Sequence, residues 1–217
     1  MRMIFTGFDA REEFGWHAFT SSVIHHAKEA IAFVPISGPQ RDGTNAFTYA
    51  RFLVPVLQKH KGMALFVDGC DMVVRADICN LFDLFDARYA VQVVKHEYKT
   101  KHSVKYLGTA MEAQNSDYPR KNWSSVMLMN CEHPAWKKVT DIVMMSGPEL
   151  HEFRFLKDDE IGDLPVEWGW LADEYGRSEH ANLLHFTTGI PAFPAYSKTP
   201  HANDWIAAAN KVTHTVA

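Results

Sequence analysis

Two carboxylates, Asp68 and Asp71, follow a short apolar run, Ala64-Leu65-Phe66-Val67, in the stretch Asp68-Gly69-Cys70-Asp71 that leads to a second apolar pair, Val73-Val74. Such a run, bounded by turn formers, reads as a buried strand, so both acids are expected where a strand ends. Carboxylate oxygens are hard ligands suited to Mg²⁺ or Mn²⁺, and these ions commonly share their shell with phosphate oxygens. The pair therefore suits a phosphate-bearing substrate. It suits a tight turn equally well, since Asp and Gly are favoured turn formers. A further candidate ligand is His185 in Leu183-Leu184-His185-Phe186-Thr187-Thr188-Gly189, at the head of a small-residue loop. The chain has twelve histidines, so one beside apolar residues does not by itself mark a ligand.

The elements that must position these groups can be read from hydrophobic periodicity. Strand-like runs recur at Met3 to Phe5, Ile31 to Ile36, Ala64 to Val67, Tyr89 to Val94 and Val126 to Met129. After Asp9, the residues Trp16, Phe19, Val23 and Ala27 share one helical face; Tyr49, Phe52, Leu53, Val56 and Leu57 share another, in a helix that Pro55 should bend. Helices are also expected over Pro134 to Met145, Gly147 to Phe155 and Asn203 to Val212. Alternating strand and helix favours an α/β sheet with parallel strands, whose ligand crevice lies at the carboxyl ends. Between Lys95 and Asn122 periodicity fades into polar residues and six Lys or Arg, which reads as a lid or as a solvated insertion.

Composition sets the bounds. The 217 residues, 47% hydrophobic and 22% charged, fit one soluble domain spanning 1–217. A net charge of −4 gives no general reason to hold nucleic acid. Three cysteines without metal spacing, and no apolar stretch long enough for a signal peptide or membrane helix, lead to the expectation of a cytoplasmic protein.

Several motifs in order carry a resemblance. They are Gly7-Phe8-Asp9-Ala10-Arg11-Glu12, Thr48-Tyr49-Ala50-Arg51-Phe52-Leu53-Val54-Pro55, Asp68 to Asp71, Asn122-Trp123-Ser124-Ser125-Val126-Met127-Leu128-Met129-Asn130, Leu164-Pro165 with Trp168, and His185-Phe186-Thr187. Over most of its length the chain resembles the retaining GT-A-fold glycosyltransferases of the glycogenin and lipopolysaccharide galactosyltransferase family, most closely a compact bacterial and viral branch. The resemblance implies a mostly parallel central sheet flanked by helices. It also implies hexose transfer from a nucleotide-sugar, a UDP-sugar above all, to an unidentified carbohydrate acceptor. By position, Asp68, Asp71 and His185 would hold Mn²⁺ (or Mg²⁺), while Thr6, Gly7, Phe8, Asp9 and Arg51, with Asp68, Gly69 and Gly189, would bind the nucleotide. Within the acidic cluster Asp158-Asp159-Glu160, Asp159 and Glu160 fall where the family keeps polar residues near the transferred sugar, so a carboxylate there would steady an oxocarbenium-like transition state; an exposed acidic turn is the alternative. Trp168 and Trp170 could stack on a sugar or fill the core.

The chain departs from the family pattern in three places. Its acidic motif has two residues between the aspartates instead of one. Gly189-Ile190-Pro191-Ala192 replaces Gly-Lys-Pro-Trp, removing the phosphate-binding lysine that Arg120 or Lys121 would have to replace. Trp123-Ser124-Ser125 stands for Asn-x-Gly, and Gly169 stands where the family has an Asn after its Leu-Pro-x-x-Trp pattern. Acidic strand ends also serve metal-dependent phosphohydrolases and nucleotidyltransferases, but no Asp-x-Asp-x-Thr pattern is present. A non-catalytic nucleotide-sugar-binding module is the remaining alternative.

Overall fold

In the computed structural model of the protein, residues 2–42 and 44–213 are described. The chain opens with β1 (Arg2–Gly7), α1 (Glu13–His26) and β2 (Ile31–Ile36), the predicted strand, helix, strand order. Asp9 starts the helical run by accepting the Arg11 main-chain N–H at 2.9 Å. The helix expected after Tyr49 becomes a 3₁₀ turn, Ala50–Leu53, followed by one α turn, Val54–Leu57. Pro55 explains the break. It has no N–H to donate, so it sits in the first turn of a new helix, where none is required.

The remaining strands are β3 (Met63–Val67), β4 (Met72–Val74), β5 (Val91–Val93), β6 (Val104–Lys105), β7 (Ala113–Gln114), β8 (Val126–Asn130), β9 (Ile161–Asp163), β10 (Trp170–Leu171) and β11 (Leu183–His185). The main sheet has the order β2-β1-β3-β8-β5-β9. It is mixed, not wholly parallel: β8 runs antiparallel to both β3 and β5, and the other pairs are parallel. Both faces of its inner strands are buried. Phe5 and Phe66 pack in one cluster with Phe52, Met127 and Trp136, whereas Ile4 and Leu65 pack in the other with Phe19, Val23 and Leu128. Period-two alternation between two covered faces is why these strands read as unbroken apolar runs.

A second sheet, β10-β11-β4, lies beside the acidic loop. The final helix, α2 (Ala202–Thr213), docks through Trp205, which is 2% exposed and meets Phe14 edge to face with centroids 5.5 Å apart. Two other helices are shorter than expected. Only Pro134–Lys138 forms a 3₁₀ turn, because Asp141 Oδ1 accepts the Val143 N–H at 2.8 Å and offers the chain a local alternative to helix. Gly147–His151 forms behind a Ser146/Glu149 capping box and stops before Phe155. The segment from Lys95 to Asn122 contains a short hairpin of β6 with β7. No helix among the described residues is long and apolar enough to cross a membrane.

Candidate active site

Strand pairing assembles the site. β3 delivers Asp68 at its carboxyl end, and because β8 is antiparallel, its entry residues Ser124 and Ser125 lie at the same edge: Val67 faces Val126, and Asp68 N–H donates to Ser125 O at 3.0 Å. Antiparallel pairing of β4 with β11 sets His185 opposite Met72, next to Asp71. The loop between the aspartates turns at Gly69, whose φ of +79° favours glycine. α1 presses on this loop so closely that a Cβ at Gly15 would lie 1.8 Å from Cys70 O.

Asp68, Asp71 and His185 thus converge, with one ligand atom from each lying within 4.8 Å of the others. His185 Nε2 stands 3.1 Å from Asp71 Oδ2 and 3.8 Å from Asp68 Oδ2. All three are buried. Two oxygens, Asp68 Oδ1 and Asp71 Oδ1, have no aligned hydrogen-bond donor, although Arg51 Nη1 forms an ion pair with the former at 2.6 Å. Neighbouring ligand atoms around a cation with bonds of about 2.1 Å are roughly 3 Å apart. The unpartnered Asp71 Oδ1, this spacing and a mixed carboxylate and imidazole set fit a divalent transition ion such as Mn²⁺.

The charges of the cluster are interdependent. Burial raises the Asp68 carboxyl above its ordinary range; Arg51 pulls it back and Asp71 pushes it further up. At Asp71 burial acts upward too, but the His185 charge and hydrogen bond outweigh it, holding this carboxyl below its usual value. His185 is raised despite burial, because Asp71 and then Asp68 favour its cation. A metal entering here would displace that proton. Glu12, 2% exposed, is pushed up to about 8 by burial and by nearby Asp71. It accepts from Asn45 Nδ2 at 2.9 Å.

Above the cluster opens a cavity of about 510 Å³, whose lining includes Arg51, Asp68, Asp71 and His185. That volume lies in the range of small-molecule sites, roughly 300–1,000 Å³. The segment around 44–51 forms one wall, and the β6–β7 hairpin with residues up to Asn122 forms another. Ser124, Ser125, His151 and Glu152 line it as well. Ser124 Oγ is 2.8 Å from His151 Nδ1.

Other residues singled out in the sequence are placed elsewhere. Thr6 Oγ1 accepts Trp16 Nε1–H at 2.8 Å, Phe8 packs edge to face on Trp16, and Asp9 binds Arg11 and the Ala46 N–H. Gly7 packs under Phe47, and Gly189 packs under Tyr196. None of these five, nor Gly69, is among the lining residues. Asp159 is exposed, Glu160 receives the Lys157 N–H at 2.7 Å, and neither lines the cavity. Arg120 turns outward to Glu152 O and Asp158, whereas Lys121 lines the cavity. Trp168 is core, and Trp170 Nε1 donates to Gly176 O at 2.8 Å. Sequence reasoning missed Lys105 and Glu152 as lining residues. Lys105 was one lysine in an aperiodic stretch, and only the hairpin pairing reveals where it sits.

No family model matches the chain. It aligns at 34% identity with Protein CDI of Arabidopsis thaliana, covering 94% of this chain and 84% of that protein. Among solved structures, the WbbM bifunctional glycosyltransferase in its apo form superposes with a TM-score of 0.69 at 16% identity over 96% of this chain. This chain spans 49% of the WbbM chain. The galactosyltransferase LgtC, in complex with donor and acceptor sugar analogs, superposes with a TM-score of 0.58 at 12% identity, covering 96% of this chain and 95% of that one. At such identities the structural likeness speaks for fold, while the sequence match speaks for kinship. The chain therefore belongs to the family of Protein CDI, built on the GT-A fold.

Proposed function

We propose that this protein is a metal-dependent glycosyltransferase that moves a hexose from a nucleotide-sugar, a UDP-sugar in the first instance, to a carbohydrate acceptor with retention of configuration. One observation carries the reading: Asp68, Asp71 and His185, distant in sequence, meet in a buried triad on the wall of a cavity large enough for such a donor. The fold shared with LgtC, a galactosyltransferase whose structure holds donor and acceptor sugar analogs, supports it. Asp68, Asp71 and His185 would hold a divalent cation such as Mn²⁺, which would supply positive charge against the negative charge growing on the leaving nucleotide.

The chain's own residues supply the remaining roles. Arg51 fixes Asp68 and ties it to the turn before β8 through a 2.8 Å hydrogen bond to Ser124 O. The hairpin wall excludes water from the diphosphate. Outside the triad, the acids lining the cavity among the described residues are Asp42 and Glu152, the latter pairing through its carboxylate with Arg154 at 2.9 Å. The reading takes the described residues as one domain in a cytoplasmic setting, in keeping with Cys70, Cys79 and Cys131 being free and buried.

A thermal-shift and turnover screen of nucleotides and nucleotide-sugars, with and without Mn²⁺, tests the proposal. UDP and a UDP-sugar should stabilise the protein only with the metal, and a UDP-sugar should be turned over. Equal shifts from all nucleoside diphosphates would remove the uridine assignment. Turnover undiminished by a chelator would remove the metal. Binding without turnover on any acceptor would leave a nucleotide-sugar-binding module.

A further inference from the structure

The loop after His185 carries no lysine: Thr187, Thr188 and Gly189 lead into Ile190 and Pro191. Another part of the chain fills the space beside it. The Tyr106 N–H donates to Thr188 O at 2.7 Å and the Leu107 N–H to Tyr196 Oη at 2.9 Å, so the end of β6 is pinned on that loop. This places Lys105 on the wall of the cavity that Asp68, Asp71 and His185 also line. Lys121 comes to the same wall from the other side of the hairpin. Its ammonium is fixed by Asn115 Oδ1 at 2.7 Å and Ser116 O at 3.0 Å, and Lys105 is among the charges it senses.

Two lysines on the wall that faces the carboxylates leave room between them for an anion held jointly with a cation on the triad. Among the described residues no carboxylate lies within ion-pairing distance of Lys105, and Lys121 has only Asp117, at 3.8 Å. The two ammonium groups therefore bring positive charge to the cavity wall without a short ion pair to close it off, next to a site suited to phosphate oxygens. We propose that Lys105 and Lys121, carried by the β6–β7 hairpin and the turn after it, form the diphosphate-binding half of this site, the triad and its metal forming the other. The ligand class is a diphosphate group, which the triad grips from one side and the lysines from the other. This inference rests on the reading of the cavity as a nucleotide-sugar site. It adds that phosphate recognition lies on the hairpin wall instead of in the loop after His185.

Lys105 is the residue to change, because among the described residues its ammonium makes no hydrogen bond or ion pair, whereas Lys121 is 5% exposed and its ammonium holds Asn115 and Ser116. Calorimetric titration of the full chain with Mn²⁺ would compare UDP, UMP and inorganic pyrophosphate on the wild type, Lys105→Ala and Lys105→Arg. Loss of one charge-assisted contact should weaken UDP and pyrophosphate about tenfold or more in Lys105→Ala. UMP should change little, and Lys105→Arg should restore most of the loss. Unchanged UDP and pyrophosphate affinities, or equal losses for UMP and UDP, would overturn the proposal. So would a wild type that binds neither UDP nor pyrophosphate. A wild type that binds pyrophosphate but not UDP, with the lysine dependence intact, would uphold the diphosphate site while removing the nucleotide reading.

Discussion

The Phe186 N–H donates to the carbonyl of Asp71 at 2.9 Å. This main-chain bond continues the β4–β11 ladder by one step past the pairing of His185 with Met72. It fixes the register of two segments more than a hundred residues apart in sequence. Because side chains alternate along a strand, a one-residue slip would turn His185 away from the aspartates. The triad is thus a product of strand register.

Arg51 is expected to serve the fold as well as the ligand. Its guanidinium donates to Thr48 O at 2.9 Å and Ser124 O at 2.8 Å, pairs with Asp68, and lies over the rings of Phe47 and Phe66. Arg51→Ala leaves Asp68 buried without its cation and should cost about 3–5 kcal/mol. The position read in sequence as a nucleotide contact is therefore also structural. Denaturant unfolding of the apoprotein checks this, and wild-type stability in the mutant would count against it.

The acid dependence of stability should carry the mark of Asp9. Hydrogen bonds from Arg11, partly opposed by burial and joined by the Ala46 N–H, lower its carboxyl to about 2. A carboxyl whose folded value lies below its unfolded one stabilises the fold above the unfolded value and ceases to do so as pH falls through the folded one. Asp9→Ala should therefore be less stable than wild type by about 1–3 kcal/mol near neutrality. The gap should close between about pH 4 and pH 2. A gap constant across that range would show that Asp9 acts only through packing.

The hairpin wall is tethered by Glu174. This buried acid accepts from Thr100 Oγ1 and, at 2.9 Å, from the Lys101 N–H, and its carbonyl receives Lys101 Nζ. Glu174→Ala should speed amide exchange across residues 100–105 by about tenfold, the effect of losing roughly 1.4 kcal/mol of local stability. In the wild type, protection across 95–122 should rise when UDP and Mn²⁺ bind. Exchange unaffected by both changes would make the segment an inert insertion.

What the sequence disclosed depended on how local each signal was. The inner strands β1, β3 and β8 were legible because both their faces are covered and their residues form apolar runs, and the edge strand β2 was legible from its apolar run alone. The three-residue strands at Met72, Ile161 and Leu183 were not, since a strand that short has no period to detect. Nor was the reversal of β8, which no local feature encodes. Of the candidate site, the triad was identified through motif order, whereas Lys105 was hidden because its place depends on Tyr106 meeting Thr188. Asp159 and Glu160 were singled out by their place in the family pattern, and that pattern does not show that Glu160 receives the Lys157 N–H or that the neighbouring Asp158 pairs with Arg120.

The central claim is that Asp68, Asp71 and His185 hold a divalent cation that also takes the donor's diphosphate. Pulsed electron paramagnetic resonance of the protein with one equivalent of Mn²⁺ and with UDP tests it most directly. The account predicts nitrogen coupling from one imidazole that is absent in His185→Gln, together with phosphorus coupling that appears only when UDP is present. Bound Mn²⁺ without nitrogen coupling, or with UDP bound but no phosphorus coupling, would contradict it.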